Sequence, residues 1–275
     1  MTNHLTIQRV AIPALRPRRF REFIARHNLA IFFGLAFLFS WYPWVIALVR
    51  GTTSGPNPLG PLIAAFIVTA LADGRSGVSA VLGRLVRARI GWSSYAIVFG
   101  LPILVCTIAL GIMAAFGQKL MWPTPQALRE LPERFVFILL FIGLGEEPGW
   151  RGFALPRLQK MHSPLIASLI LAPIWALWHL PLMGNEFSPA IIPAFLISLL
   201  GGTLLQTWLF NRTKGSVFPQ MLFHATVNTV GAGLIFPLMK GPGFVPFWYV
   251  YALLWLGIGI AFILSDAAQG RSALR

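Results

Sequence analysis

Acidic residues are scarce in this chain: Asp and Glu together number 8 among 275 residues, against 22 Lys and Arg. Charged residues make up 11% of it, less than half of the roughly 25% usual in soluble domains. That shortage excludes an ordinary water-soluble globule. A single cysteine, Cys106, can close no intramolecular disulfide and fits no metal-ligand pattern; it lies in an apolar stretch and reads as core filler. The sequence has no His-Glu-x-x-His of soluble zinc proteases, no Gly-x-Ser-x-Gly elbow of serine hydrolases and no glycine-rich phosphate or dinucleotide loop. It also has no internal repeat, low-complexity tract or separable soluble domain.

Apolar sequence fills the space. The chain is 56% apolar, and a membrane crossing needs about 20 such residues for a hydrocarbon core of ~30 Å. Eight candidate spans follow: about 29–49, 58–72, 95–116, 135–155, 164–183, 190–210, 217–238 and 244–264. The second is short. The expected fold is all-α, a polytopic transmembrane helical bundle of about eight spans.

Cationic residues give the orientation. With the connections assigned alternately, all Lys and Arg except Arg50, Lys119, Arg129, Arg134 and Lys240 fall on the side of the N-terminus. Positive charge marks the cytoplasmic side, so both termini are expected in the cytoplasm. Basic loops facing anionic lipid headgroups account for the net charge of +14 without any nucleic acid partner. The expected division is a basic cytoplasmic tail at 1–28, a transmembrane domain at 29–265 and a cytoplasmic tail at 266–275. The longest polar connections are 73–94 and 117–134, and the latter has room for a short interfacial helix.

Within this apolar frame a few polar side chains stand out. Glu146 and Glu147 are adjacent carboxylates inside the fourth candidate span, with Arg151 beyond them. A charge at mid-bilayer costs roughly 2.5–3.5 kcal/mol even on the lenient insertion scale, and such residues mark function by default. His179 lies in the fifth span, and His224 and Asn228 in the seventh; Gln206 in the sixth is cheaper to bury and less informative. Glu147 and Arg151 are four apart and share a helical face, as do His224 and Asn228; Glu146 is turned about 100° from Glu147. By helical rise, Glu146 and Asn228 each lie about 16 Å from one end of their spans, so both fall near mid-membrane. His179 is closer to the outer end unless Pro173 kinks its helix.

Two Glu, two His and one Asn in a dry bundle can activate water in two ways. A divalent ion such as zinc, held by imidazole nitrogens and a carboxylate, lowers the pKa of bound water toward ~7. Alternatively, a desolvated Glu serves as general base while a His and an Asn donate to the developing oxyanion. Arg151 places a cation beside the two carboxylates, so they need not carry the same charge and can take separate roles.

Three short patterns carry a resemblance. Gly145-Glu-Glu-Pro-Gly-Trp-Arg-Gly152 resembles the Glu-Glu-x-x-x-Arg signature of the CAAX protease and bacteriocin-processing (CPBP) family of intramembrane endopeptidases. Trp175-Ala-Leu-Trp-His179 resembles its second signature, Phe-x-x-x-His, with Trp175 in place of the Phe; His224-Ala-Thr-Val-Asn228 resembles the third, His-x-x-x-Asn. All three stand in the family's order on separate predicted spans, within about 130–235; residues 1–130 carry no matching signature.

The resemblance implies an intramembrane endopeptidase with its catalytic core at 130–235, cutting a CAAX-type tail or a peptide precursor at a bacterial cytoplasmic membrane. It makes Glu146 the general base or a metal ligand, and Glu147 its partner acting with Arg151. His179 and His224 would hold the metal or the water, and Asn228 would polarise the scissile carbonyl. Members are classed as metallopeptidases and have also been argued to be metal-free glutamate peptidases. The expected metal set is Glu146, His179 and His224, with zinc as the ion. Each residue has a plainer reading: Glu147–Arg151 as a structural ion pair, His179 as a helix-end histidine bonded to a carbonyl, His224 and Asn228 as interhelical glue. Trp150, Trp175, Trp178 and Phe223 read as packing. The rival functions are a non-catalytic scaffold or bacteriocin self-immunity protein, and an ion-coupled transporter, whose paired interrupted halves the sequence lacks.

Overall fold

The computed structural model of the protein describes residues 17–239 and 241–268. Most of the expected tails, with Arg9, Arg16, Arg271, Arg275 and the loop residue Lys240, lie outside the described residues. Among those described there are eleven α-helices and no strand: α1 (Pro17–Arg26), α2 (Asn28–Val49), α3 (Gly60–Leu85), α4 (Trp92–Ala115), α5 (Pro125–Phe137), α6 (Leu144–Glu147), α7 (Leu155–Leu158), α8 (Pro164–Trp178), α9 (Ile192–Arg212), α10 (Phe218–Val230) and α11 (Phe244–Ala268). The tail expected at 1–28 is therefore helical from Pro17. A proline opens the first turn of α3, α5, α8, α9 and α10, where its missing N–H costs nothing and its fixed φ suits the helix. Thr124 caps α5 by accepting from Ala127 N at 3.1 Å, and Ser163 caps α8 by accepting from Ile166 N at 3.3 Å. The 117–134 connection thus does contain the start of a helix.

Six helical segments are long and apolar enough to cross a membrane: Asn28–Val49, Gly60–Leu85, Trp92–Ala115, Ile192–Arg212, Phe218–Leu238 and Gly241–Ser265. Each overlaps a candidate region read from the sequence, and the second and fifth candidates differ in length from the helices found there. The second is not short: α3 runs on to Leu85 through a bend at Gly74 (φ 67°, ψ −154°), a backbone conformation that glycine adopts without steric cost. Beside the bend Asp73 pairs with Arg157 at 2.9 Å, so part of the expected 73–94 loop is helix. The fifth is shorter than expected: α8 ends at Trp178, and Pro181 in the following 3₁₀ turn Leu180–Leu182 has no N–H with which to continue an α-helix.

The fourth candidate span takes the most unusual form. Helical backbone continues from Pro125 to Leu158, but two π-helical stretches, Ile138–Gly143 and Pro148–Ala154, enclose the single α turn of α6 that bears the two glutamates. Isolated π turns occur at functional sites far more often than chance. Pro148 lacks the N–H for an α-type bond, which favours the wider turn after Glu147. A third π stretch, Gly231–Ile235, follows Asn228 in the seventh span.

Helices α2 and α3 pack together, α9 lies between α8 and α11, and α10 sits against α4 and the first π stretch. The tightest approaches go through glycine. A Cβ on Gly201 would collide with the backbone of Trp255 and Leu256, joining α9 to α11. One on Gly145 would lie 2.5 Å from the Pro58 carbonyl oxygen, and one on Gly149 2.7 Å from that of Pro61. The glutamate turn is thereby pressed onto the start of α3. We expect Gly149→Ala to destabilise the protein by about 1–3 kcal/mol, the usual cost of overpacking, because the obstructing atom is backbone. Thermal unfolding in detergent micelles reads the effect, and an unchanged transition would show that α3 can yield. Large apolar side chains such as Leu38, Val49, Ile103 and Leu253 are exposed on the bundle's exterior, as a lipid solvent requires.

Candidate active site

Four of the six polar residues singled out from the sequence line one cavity of about 1100 Å³: Glu146, His179, His224 and Asn228. They come from α6, the end of α8, and α10. That volume exceeds the few hundred to ~1,000 Å³ of most small-molecule pockets. Its wall is mostly apolar and rich in aromatic rings, with Phe187, Phe195, Phe223, Phe236, Trp248 and Tyr251 among the contributors. Glu147 and Arg151 do not line it. They lie behind it, 0% and 1% exposed.

The two glutamates therefore do different things. Glu146 Oε2 accepts a hydrogen bond from the Trp175 indole Nε1 at 2.9 Å, and its other oxygen has no protein partner among the described residues. Glu147 Oε1 accepts from Arg151 Nη1 at 3.1 Å, His224 Nδ1 at 2.7 Å and Gln206 Nε2 at 3.3 Å. One carboxylate faces the cavity and its neighbour ties three helical segments together. The plain ion-pair reading of Glu147–Arg151 is correct as far as it goes, but the same oxygen also sets the orientation of an imidazole.

Hydrogen-bond acceptors fix both histidines. A carbonyl oxygen only accepts, so the 2.8 Å contact between His179 Nδ1 and the Trp175 carbonyl places a proton on Nδ1. The same reasoning applies to His224 Nδ1 against the Glu147 carboxylate. Each ring has Nε2 without a protein partner among the described residues. His179 thus satisfies the helix-end reading and also lines the cavity. Arg151 lies with its guanidinium carbon 4.1 Å from the centre of the Trp175 ring, a cation–π contact.

Two residues with larger parts here were undervalued in the sequence. Trp175 was read as packing, yet it donates to Glu146, supports Arg151 and presents its carbonyl to His179. The signal was the exchange of a ring without a donor for one with a donor, in a motif position. Gln206 was set aside as a cheap amide in an apolar helix; it is 2% exposed and bonds the Glu147 cluster. Arg134 also lines the cavity, though its place in a polar connection gave no hint of that.

The set Glu146, His179 and His224, expected to hold an ion, shares the cavity wall. Among the described residues, however, no three His, Cys, Asp or Glu side chains are grouped so as to hold a metal. The three groups are not drawn together as ligands in this arrangement, although each imidazole keeps Nε2 and Glu146 keeps one oxygen without a protein partner among the described residues.

Comparison with known proteins agrees with the motifs. Residues 130–230 match the family described as "Type II CAAX prenyl endopeptidase Rce1-like". A stretch of 102 residues is 31% identical to "CAAX prenyl protease 2" of Methanococcus maripaludis, covering 34% of this chain and 38% of the relative. The match thus spans well under half of that protein's length. Residues 130–230, the part that matches the family, include the cavity-lining carboxylate, imidazoles and amide. Over residues 130–230 the chain is similar to the Rce1-like CAAX prenyl endopeptidase family.

Proposed function

We propose that this multi-pass membrane protein is an intramembrane endopeptidase that hydrolyses a peptide bond of a membrane-associated, CAAX-type substrate, with water activated by Glu146. One observation carries the reading: a buried carboxylate with one unpartnered oxygen faces a large, aromatic-rich cavity together with two oriented imidazoles and an amide. The cationic loops favour a cytoplasmic membrane with both termini inside, and the composition suits a bacterial cell.

In the proposed reaction, a water bonded to the free Glu146 oxygen gives up a proton to it as the water oxygen attacks the scissile carbonyl carbon. The carbonyl electron pair moves onto its oxygen, and the Asn228 amide, on the same wall, donates to that oxyanion; one such donor accounts for about 10²–10³-fold in rate. Collapse re-forms the carbonyl and breaks the C–N bond, and Glu146 returns its proton to the departing amine. His179 and His224 hold the water and the peptide in line, their rings fixed through Nδ1. Arg151, Glu147 and Gln206 keep the His224 support rigid, as second-sphere partners do elsewhere.

A bound divalent ion would supply Lewis-acid polarisation of the same carbonyl, but no step above depends on it. Cleavage of a farnesylated CAAX peptide by the purified protein, read by mass spectrometry as loss of the C-terminal tripeptide, tests the function. Absence of any cut in that peptide by active-state protein would remove the CAAX assignment; cleavage of an unprenylated secreted-peptide precursor instead would redirect it. We further expect prolonged treatment with EDTA or 1,10-phenanthroline to cost less than about twofold in rate. Complete loss, restored by zinc, would assign a metal to the cavity.

A further inference from the structure

We infer that Trp175 is a positioning residue for hydrolysis, its indole N–H holding the Glu146 carboxylate so that the other oxygen faces the cavity. The inference rests on the peptidase reading above and deepens it. Three observations lead to it. First, the bond is short and buried: Nε1 to Oε2 is 2.9 Å, with Glu146 3% and Trp175 7% exposed. A donor to a carboxylate in a dry site is among the stronger hydrogen bonds.

Second, this N–H is used where others are not. Trp150, Trp178 and Trp248 are also buried, and their indole N–H groups have no partner among the described residues. An indole in this bundle does not bond a polar group simply because it is buried. The one whose N–H meets a carboxylate does so at the cavity wall.

Third, the ring itself is held from several sides. Arg151 covers one face at 4.1 Å, and the His179 and His224 rings meet it edge-on with centroids 5.3 and 6.1 Å away. A fixed ring makes a fixed donor. Glu146 lies two residues before Pro148 and its π stretch, and its side chain has three rotatable bonds; one clamped oxygen removes most of that freedom. A 1 Å misplacement of a catalytic group can cost about 10²-fold.

Trp175→Phe is the decisive variant. It keeps an aromatic ring under Arg151 and keeps the backbone carbonyl bonded to His179, and it deletes the donor with the part of the indole that carries it. With the farnesylated CAAX peptide as probe, we expect kcat to fall roughly ten- to a hundredfold, the usual range for one hydrogen bond to a charged group. KM should stay within twofold and the thermal transition within a few degrees. An unchanged kcat, or a loss of kcat in proportion to a loss of folded protein, would overturn the inference while leaving the peptidase reading intact. A wild type that cuts nothing would instead remove the reading itself.

The contact has a second measure that needs no turnover. In protein with ¹⁵N-labelled tryptophan, the indole resonance that vanishes in Trp175→Phe should shift in Glu146→Leu. A resonance that stays in place would show that the bond is not made.

Discussion

Glu146→Gln is expected to reduce peptide hydrolysis by roughly 10²–10⁴-fold, the contribution usual for a positioned general base, with the fold left intact. Glutamine has nearly the volume of glutamate, and its amide oxygen can still accept from Trp175. What it lacks is the capacity to take a proton from water. The neighbouring Glu147 is a poor substitute, because its Oε1 already serves Arg151, His224 and Gln206 and it does not line the cavity. KM should change little, since Glu146 acts on the water rather than on the bulk of the peptide. Steady-state cleavage beside a melting curve decides the matter. Residual activity within tenfold of wild type would mean that another group activates the water.

Arg151→Met has the largest expected effect on stability, about 3–5 kcal/mol, the range for removing one member of a buried ion pair. The guanidinium is 1% exposed, so no solvent screens it. Its removal leaves Glu147 with only two weaker donors in an apolar interior and uncovers a face of Trp175. Methionine fills most of the space, so the loss is electrostatic rather than a cavity. Arg151→Lys should recover only part of it, since a compact ammonium cannot lie flat on an indole while bonding a carboxylate. Unfolding in detergent at matched conditions measures both; equal stability of Arg151→Met and wild type would show that Glu147 finds other support.

Most of the site was legible in the sequence because its chemistry is rare in its surroundings. With 8 acidic residues in the chain, an adjacent pair inside an apolar run could hardly be missed, and the i,i+4 spacing of His224 and Asn228 put both on one face. Glu146, His179, His224 and Asn228 line one cavity. What could not be read were features created by tertiary contact. Hydropathy sees a uniform stretch at 135–155, but the backbone there alternates between α and π winding. A Gly74 that could have ended a helix bends one instead, beside the Asp73–Arg157 ion pair. Trp175 looks like any buried aromatic until a carboxylate is found within reach of its nitrogen.

The two wide turns around α6 bear on how this segment tolerates change in length. An α-helix advances about 100° per residue, and a π turn holds one residue more than an α turn. Loss of a single residue between Ile138 and Gly143 would let that turn rewind into ordinary α geometry with the carboxylates kept roughly on their present face, because the wide turn already accommodates the extra residue. The same loss within an α turn has no such reserve and would rotate everything beyond it by about 100°.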